Sequence, residues 1–190
     1  LFRSMKRILD LFFSVVLLIL LSPLFLIVSI IIKAGSKGPV FFRQRRIGTD
    51  SKEFLIYKFR TMKIDTPELA TDKFANSDDY ITKSGRFFRK TSIDELPQLI
   101  NIVKGEMSFV GPRPALYNQY ELIKLREDKG INACVTGITG YAQINGRDSI
   151  SNYDKVEYDE YYLRNKSILL DVNIILKTFL KVALSKDIKS

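Results

Sequence analysis

The stretch ILDLFFSVVLLILLSPLFLIVSIII, residues 8–32, decides how the rest of the chain is read. Asp10 is its only ionisable residue, and as a helix it is long enough to cross a hydrocarbon core of about 30 Å. A secretory signal would have a shorter apolar stretch and a small-residue cleavage site, which Lys33-Ala-Gly-Ser-Lys-Gly38 matches poorly. Ser22-Pro23 stands near the middle. Proline removes one backbone hydrogen bond and its ring clashes with the carbonyl four residues back, so a bend is predicted there. Basic residues flank both ends: Arg3, Lys6 and Arg7 before, and Lys33, Lys37, Arg43, Arg45 and Arg46 after. Both ends therefore prefer the cytoplasmic face. A re-entrant helix that enters one leaflet, turns at Ser22-Pro23 and returns satisfies both observations; a kinked spanning helix is the alternative. Asp10 close to the interface is compatible with either. The chain is accordingly divided into a membrane helix, residues 1–34, and a small compact cytoplasmic domain, residues 35–190.

Composition narrows the chemistry. The chain has 190 residues, 30 Lys+Arg against 21 Asp+Glu for a net charge of +9, no His and one Cys. That length suits one core with appendages rather than a repeat array or a multidomain enzyme. Without imidazole, no Ser-His-Asp or Cys-His system and no His-ligated zinc site can be built. Any acid, base or nucleophile must be a carboxylate, Lys, Tyr, Ser, Thr or Cys134. A single cysteine cannot form an intramolecular disulfide, and Cys134 is expected to be a small buried hydrophobe. The positive excess points to anionic partners: phosphate groups, nucleic acid or an acidic lipid surface.

Beyond the apolar stretch, residues 40–47 and 54–62 flank the turn-like Gly48-Thr-Asp-Ser-Lys-Glu53 and read as a β-hairpin. Alternation puts Ile56, Lys58 and Arg60 on one face. Two cations so placed would grip a phosphate, or simply line a solvated face. Residues 63–83 are polar and contain Pro67, which predicts a long loop with a short helix. Residues 167–184 carry apolar side chains at helical spacing with Lys177 and Lys181 opposite. Such an amphipathic helix lies in a membrane interface or packs on the core.

The most informative segment runs from Arg86 to Gly105. Leu96, Leu99, Ile100 and Val103 form one helical stripe that stops at Gly105. Two starts compete. Ser92-Ile-Asp-Glu95 fits a capping box, whereas a start at Asp94 places Pro97 in the first turn, where its missing N–H costs little. Either start puts Asp94 at a helix N-terminus that favours anions. Arg86, Arg89 and Lys90 add positive charge upstream. A structural cap and a catalytic carboxylate both remain open on these residues. Downstream, Pro112-Arg113-Pro114 presents a guanidinium from a restricted backbone. Thr136 to Arg147 is a glycine-rich turn region ending in another Arg, and Tyr153 to Tyr162 interleaves tyrosines with acids expected to be solvated.

Taken together, IYKFRTM (56–62), RKTSIDELPQLINIVKGEMSFVGPRP (89–114), GITGYAQINGRD (137–148) and YDEYYLRNKSILLD (158–171), behind a Ser22-Pro23 apolar segment, resemble the bacterial sugar transferase family. These are monotopic phosphoglycosyl transferases, and the chain is most similar to those that initiate capsular polysaccharide. The match extends over nearly the whole sequence. The resemblance implies an α+β fold with a re-entrant helix and interfacial amphipathic helices, on the cytoplasmic face of a bacterial inner membrane. It implies transfer of a sugar 1-phosphate from a UDP-sugar to polyprenyl (undecaprenyl) phosphate, with UMP released and Mg²⁺ required. By motif, Asp94 would be the nucleophile and a Mg²⁺ ligand, Glu95 its dyad partner, and Lys58, Arg89, Arg113 and Arg147 the phosphate- or nucleotide-binding residues. One departure is visible: Val135-Thr136 stands where the family often has Arg-Pro. The competing class is a non-catalytic adaptor binding anionic lipid; a transferase for a soluble acceptor is a third reading. No nucleic-acid motif accompanies the basic residues. The sugar and the oligomeric state, a homodimer included, stay open.

Overall fold

Residues 2–64, 66, 80–146 and 150–184 are described by a computed structural model. The apolar stretch forms two helices, α1 (Phe2–Leu20) and α2 (Ser22–Gly35), bent by 60° at Leu21. Pro23 sits in the first turn of α2, where a missing N–H is harmless. The Ser22 hydroxyl donates to the Ile19 carbonyl at 2.8 Å, satisfying an acceptor released by the break. The bend thus falls at Ser22-Pro23 as the sequence predicts. Neither helix alone is long and apolar enough to cross a membrane.

One side of the pair packs on the rest of the chain. Leu17, Leu18 and Leu21 meet Ile56, Leu99, Ile102 and Met107, while Val28 and Ile32 meet Phe59 and Phe88. The other side leaves Ile8, Phe12, Phe13, Ile19, Leu20, Leu26, Ile27 and Ile30 exposed. Polar anchors fix α1: Lys6 pairs with Asp171, Arg7 donates to the carbonyls of Ile102 and Val103, and the Phe109 N–H donates to Asp10.

The predicted hairpin is present. Strands β1 (Phe41–Ile47) and β2 (Glu53–Phe59) pair antiparallel with Phe41 opposite Phe59, and β4 (Ala115–Leu116) joins β1 on its other edge. Strand β3 (Ser108–Val110) pairs parallel with β5 (Gly137–Thr139) in a second, two-stranded sheet. Around these sheets stand α3 (Lys83–Lys90), α4 (Gln98–Lys104), α5 (Tyr120–Asp128), α6 (Tyr141–Ile144), α7 (Asn152–Asn165) and α8 (Ile168–Ala183). The architecture is the α+β mixture expected. Of the polar segment 63–83, residues 65 and 67–79 lie outside the described residues; its two ends are joined by a bridge between Met62 and Ile81.

Several local expectations change. Neither proposed helix start is used: Ile93–Glu95 is a separate 3₁₀ turn, and α4 begins only at Gln98 with Pro97 as its cap. Ser92 takes a left-handed φ of 56° and makes no side-chain cap bond, so the capping-box reading fails. The end at Gly105 holds, at a φ of 86° that glycine adopts without strain. The buried face of α4 is rotated from the expected stripe: Gln98, Leu99, Asn101 and Ile102 are buried. Asn101 explains the rotation. Its amide accepts from the Tyr57 N–H at 3.0 Å and donates to the Leu55 carbonyl at 2.7 Å, docking α4 against the β2 backbone.

The glycine-rich region, read as turns, owes its glycines to close backbone packing. A Cβ at Gly111, Gly137 or Gly140 would overlap backbone of the adjoining segment, so these glycines permit β3 and β5 to approach. Helix α8 follows the predicted limits, capped by Ser167. It buries only Asp171 and Ile174, leaving Leu169, Val172, Leu176, Phe179, Leu180 and Leu184 exposed. Cys134 is buried in a cluster with Val110, Ile144, Tyr162 and Ile174, as a small hydrophobe.

Candidate active site

The 3₁₀ turn at Ile93–Glu95 joins α3 to α4, and its apolar flanks decide where its acids face. Ile93 and Leu96 pack into the cluster of Val28, Ile32, Phe59 and Phe88, against α2. Asp94 and Glu95 are thereby drawn below the surface, 8% and 9% exposed. A strained Ser92 immediately before the turn is the kind of backbone feature that an over-determined surrounding structure holds in place.

Two cations converge on Glu95. Lys58 Nζ, from β2, and Arg113 Nη2, from the double-proline segment, each lie 2.9 Å from Glu95 Oε1. Glu95 therefore serves as a hub that brings Lys58 and Arg113 together. Asp94 differs: Lys58, Arg89 and Arg113 act on it through charge. Burial, reinforced by the neighbouring Glu95 charge, raises its carboxyl to about 6 against the pull of those cations. Lys58 moves the opposite way for the same reason, since burial pushes its ammonium down more than Glu95 lifts it. Arg89, in the last turn of α3, has a buried Nη1 with no hydrogen-bond partner among the described residues. That donor has lost water without gaining an acceptor, an arrangement that an incoming oxyanion would complete.

Asp94, Glu95, Lys58, Arg89 and Arg113 are thus brought together. Arg60 is not part of the group. It lies beyond the end of β2 and donates to the carbonyls of Ser36 and Lys37, closing the end of α2. Arg147 lies outside the described residues. Nor does Asp94 stand at an α-helix N-terminus, because α4 starts four residues later; its electropositive surroundings come from side chains. Val135-Thr136, the departure from the family pattern, leads into β5. The Thr136 carbonyl accepts from the Ser108 N–H, while its buried hydroxyl has no partner among the described residues.

Among the described residues no group of three or more His, Cys, Asp or Glu side chains converges. A metal cage is therefore absent there, but Mg²⁺ needs only one or two carboxylates beside substrate phosphates and water. The Asp94 carboxylate, adjacent to the cation-paired Glu95, fits that role.

The bacterial sugar transferase family matches residues 1–185. This chain belongs to that family. It is 39% identical over 191 residues to the UDP-glucose:undecaprenyl-phosphate glucose-1-phosphate transferase of Escherichia coli, covering 97% of this chain and 41% of that protein. It is 41% identical over 186 residues to the uncharacterized sugar transferase EpsL of Bacillus subtilis, covering 97% and 90%. The galactosyl transferase CpsE of Streptococcus agalactiae is 41% identical over 159 residues, covering 77% and 35%. The chain thus spans about two-fifths of the length of the Escherichia coli relative.

Three residues around this site are not singled out by the sequence. Arg46 donates to the Pro114 carbonyl, and Arg126 pairs with Asp159 beneath Arg113. Asp159 is 1% exposed rather than solvated as expected, because α7 faces α5 along this ion pair. Its apolar neighbours Val156 and Tyr162, three residues to either side on the helix, were the available signal.

Proposed function

We propose that this chain transfers a sugar 1-phosphate from a UDP-sugar to undecaprenyl phosphate, in two displacements through Asp94. Asp94 Oδ attacks the sugar-linked phosphorus, the bond to the bridging oxygen breaks, and UMP leaves. A phosphate oxygen of the lipid then attacks the same phosphorus and releases the Asp94 carboxylate, giving undecaprenyl diphosphate sugar. A carboxylate nucleophile divides one difficult exchange into two easier ones. The observation that carries this reading is the contrast between two adjacent acids: Glu95 is pinned by Lys58 and Arg113, while Asp94 sits among the same cations without being consumed by them.

Phosphoryl transfer depends chiefly on positioning and on positive charge around the moving oxygens. Lys58, Arg89 and Arg113 supply that charge, and Glu95 holds two of them. Arg147 is assigned to the nucleotide by motif. Mg²⁺ held by Asp94 would add charge neutralisation at the diphosphate.

The lipid acceptor explains the exposed apolar surfaces. Helices α1 and α2 dip into one leaflet as a re-entrant pair, α8 lies in the interface, and the site beside α2 meets a phosphate that cannot leave the bilayer. The working position is the cytoplasmic face of the bacterial plasma membrane, and the product starts a surface polysaccharide. UMP release is the test, screened across UDP-sugars with and without undecaprenyl phosphate and Mg²⁺. Turnover that requires all three components supports the reading. Vesicle binding with no UMP from any UDP-sugar refutes it in favour of a lipid-binding adaptor.

A further inference from the structure

Three consecutive carbonyls of Pro112-Arg113-Pro114 each accept a hydrogen bond from a different element. The Gly137 N–H donates to Pro112 at 3.0 Å, Arg126 Nη1 to Arg113 at 2.8 Å, and Arg46 Nη1 to Pro114 at 3.0 Å. The two prolines have no N–H, so the carbonyls are the main handles by which this strap can be held. The central handle is the most heavily built. Arg126, on α5, is 5% exposed, and its Nε and Nη2 reach Asp159 Oδ2 on α7 at 3.0 and 2.6 Å.

A buried ion pair is a poor source of stability, because removing two charges from water offsets most of their attraction. What this pair does supply is direction. The planar guanidinium is fixed on one edge by the carboxylate, which aims its remaining nitrogen at the Arg113 carbonyl. The side chain of the residue so held extends to Glu95 Oε1.

We infer that Arg126, oriented by Asp159, is a positioning residue for the transfer reaction: it fixes the Arg113 backbone so that the Arg113 guanidinium stands beside Asp94 and Glu95. Its kinetic consequence rests on the functional reading above, whereas its effect on the strap does not. A displacement near 1 Å in a phosphate-holding group is enough to cost up to about a hundredfold in rate.

The test uses the full chain in detergent with undecaprenyl phosphate and the UDP-sugar giving most UMP. Arg126→Lys retains a positive charge opposite Asp159, but its compact ammonium cannot reproduce the fork that spans carboxylate and carbonyl. The expected result is a melting temperature within a few degrees of wild type and about ten- to thirtyfold lower kcat/KM, no more than the loss of the Arg113 guanidinium itself. In an Arg113→Ala background, Arg126→Lys should change the rate less than about twofold, because its route to the site is gone. An equal further loss in that background overturns the inference and marks a general structural role. Asp159→Asn, measured in the same cycle, decides the matter if Arg126→Lys does not fold. Hydrogen exchange of the Gly111, Arg113, Ala115 and Leu116 amides gives a readout independent of activity: faster exchange in Arg126→Lys is expected, and unchanged exchange overturns the inference. A wild-type chain that yields no UMP refutes the functional reading instead, and the exchange comparison still decides whether Arg126 holds the strap.

Discussion

Replacing Asp94 by Asn should make the protein more stable while removing its chemistry. The Asp94 carboxyl titrates at about 6 in the fold against an ordinary value of 3.8, with burial the largest cause. Between those values the folded chain holds a proton that the unfolded chain has lost. Stability therefore falls as pH rises from about 4 to about 6, and the penalty is fully present at neutral pH. At 1.36 kcal/mol per tenfold, ionised Asp94 costs about 3 kcal/mol. Asn carries no charge at any pH and escapes that cost. For a domain of this size the gain corresponds to about 6–12 °C in melting temperature. The assay is thermal unfolding of wild type and Asp94→Asn in detergent with EDTA, since a bound cation would itself relieve the carboxylate. The variant should lead at pH 7.5, and its lead should vanish as pH approaches 4, where wild-type Asp94 is protonated. A variant that is less stable at neutral pH, or a lead that does not change with pH, would refute the burial argument.

Arg113→Ala should lower kcat/KM for the UDP-sugar by roughly thirtyfold, about 2 kcal/mol for a lost charge-assisted contact, and should leave the Lys58–Glu95 pair in place; unchanged UMP kinetics would exclude a phosphate role. Gly137→Ala should destabilise the chain by several kcal/mol, because its Cβ would overlap the Gly111 backbone; a melting temperature equal to wild type would show that the two strands are free to separate. Leu169→Ser combined with Phe179→Ser removes two of the most exposed apolar side chains of α8, 83% and 72% exposed. Partition to anionic vesicles should weaken with little change in melting temperature, and unaltered partition would take α8 out of the interface.

The parts of the fold set by local chemistry were readable from the sequence. Alternation and the polar turn at 48–53 located the hairpin, proline located the bend, and Gly105 located a helix end. The site cations were readable as residue types, and Lys58, Arg89 and Arg113 do surround the acid turn. What sequence did not disclose was which distant group each polar residue would meet. Arg60 has the same charge and strand parity as Lys58, yet it serves the end of α2 because the strand stops at Phe59. Asp159 looked solvated among tyrosines and acids because Arg126 is 33 residues away. The α4 stripe was displaced because Asn101 finds its partners in the β2 backbone, a tertiary contact that periodicity does not encode. Glycines 137 and 140 read as turn residues, although the requirement they share with Gly111 is a close crossing of two strands.

The most direct measurement of the central claim is to incubate the full chain with a UDP-sugar and Mg²⁺ while withholding undecaprenyl phosphate, then to weigh the protein and its peptides by mass spectrometry. The account expects a burst of at most one UMP per chain and a phosphosugar adduct on the peptide containing Asp94, discharged when the lipid is added and absent from Asp94→Asn. UMP formed only when the lipid acceptor is present, with no adduct at any time, would contradict it.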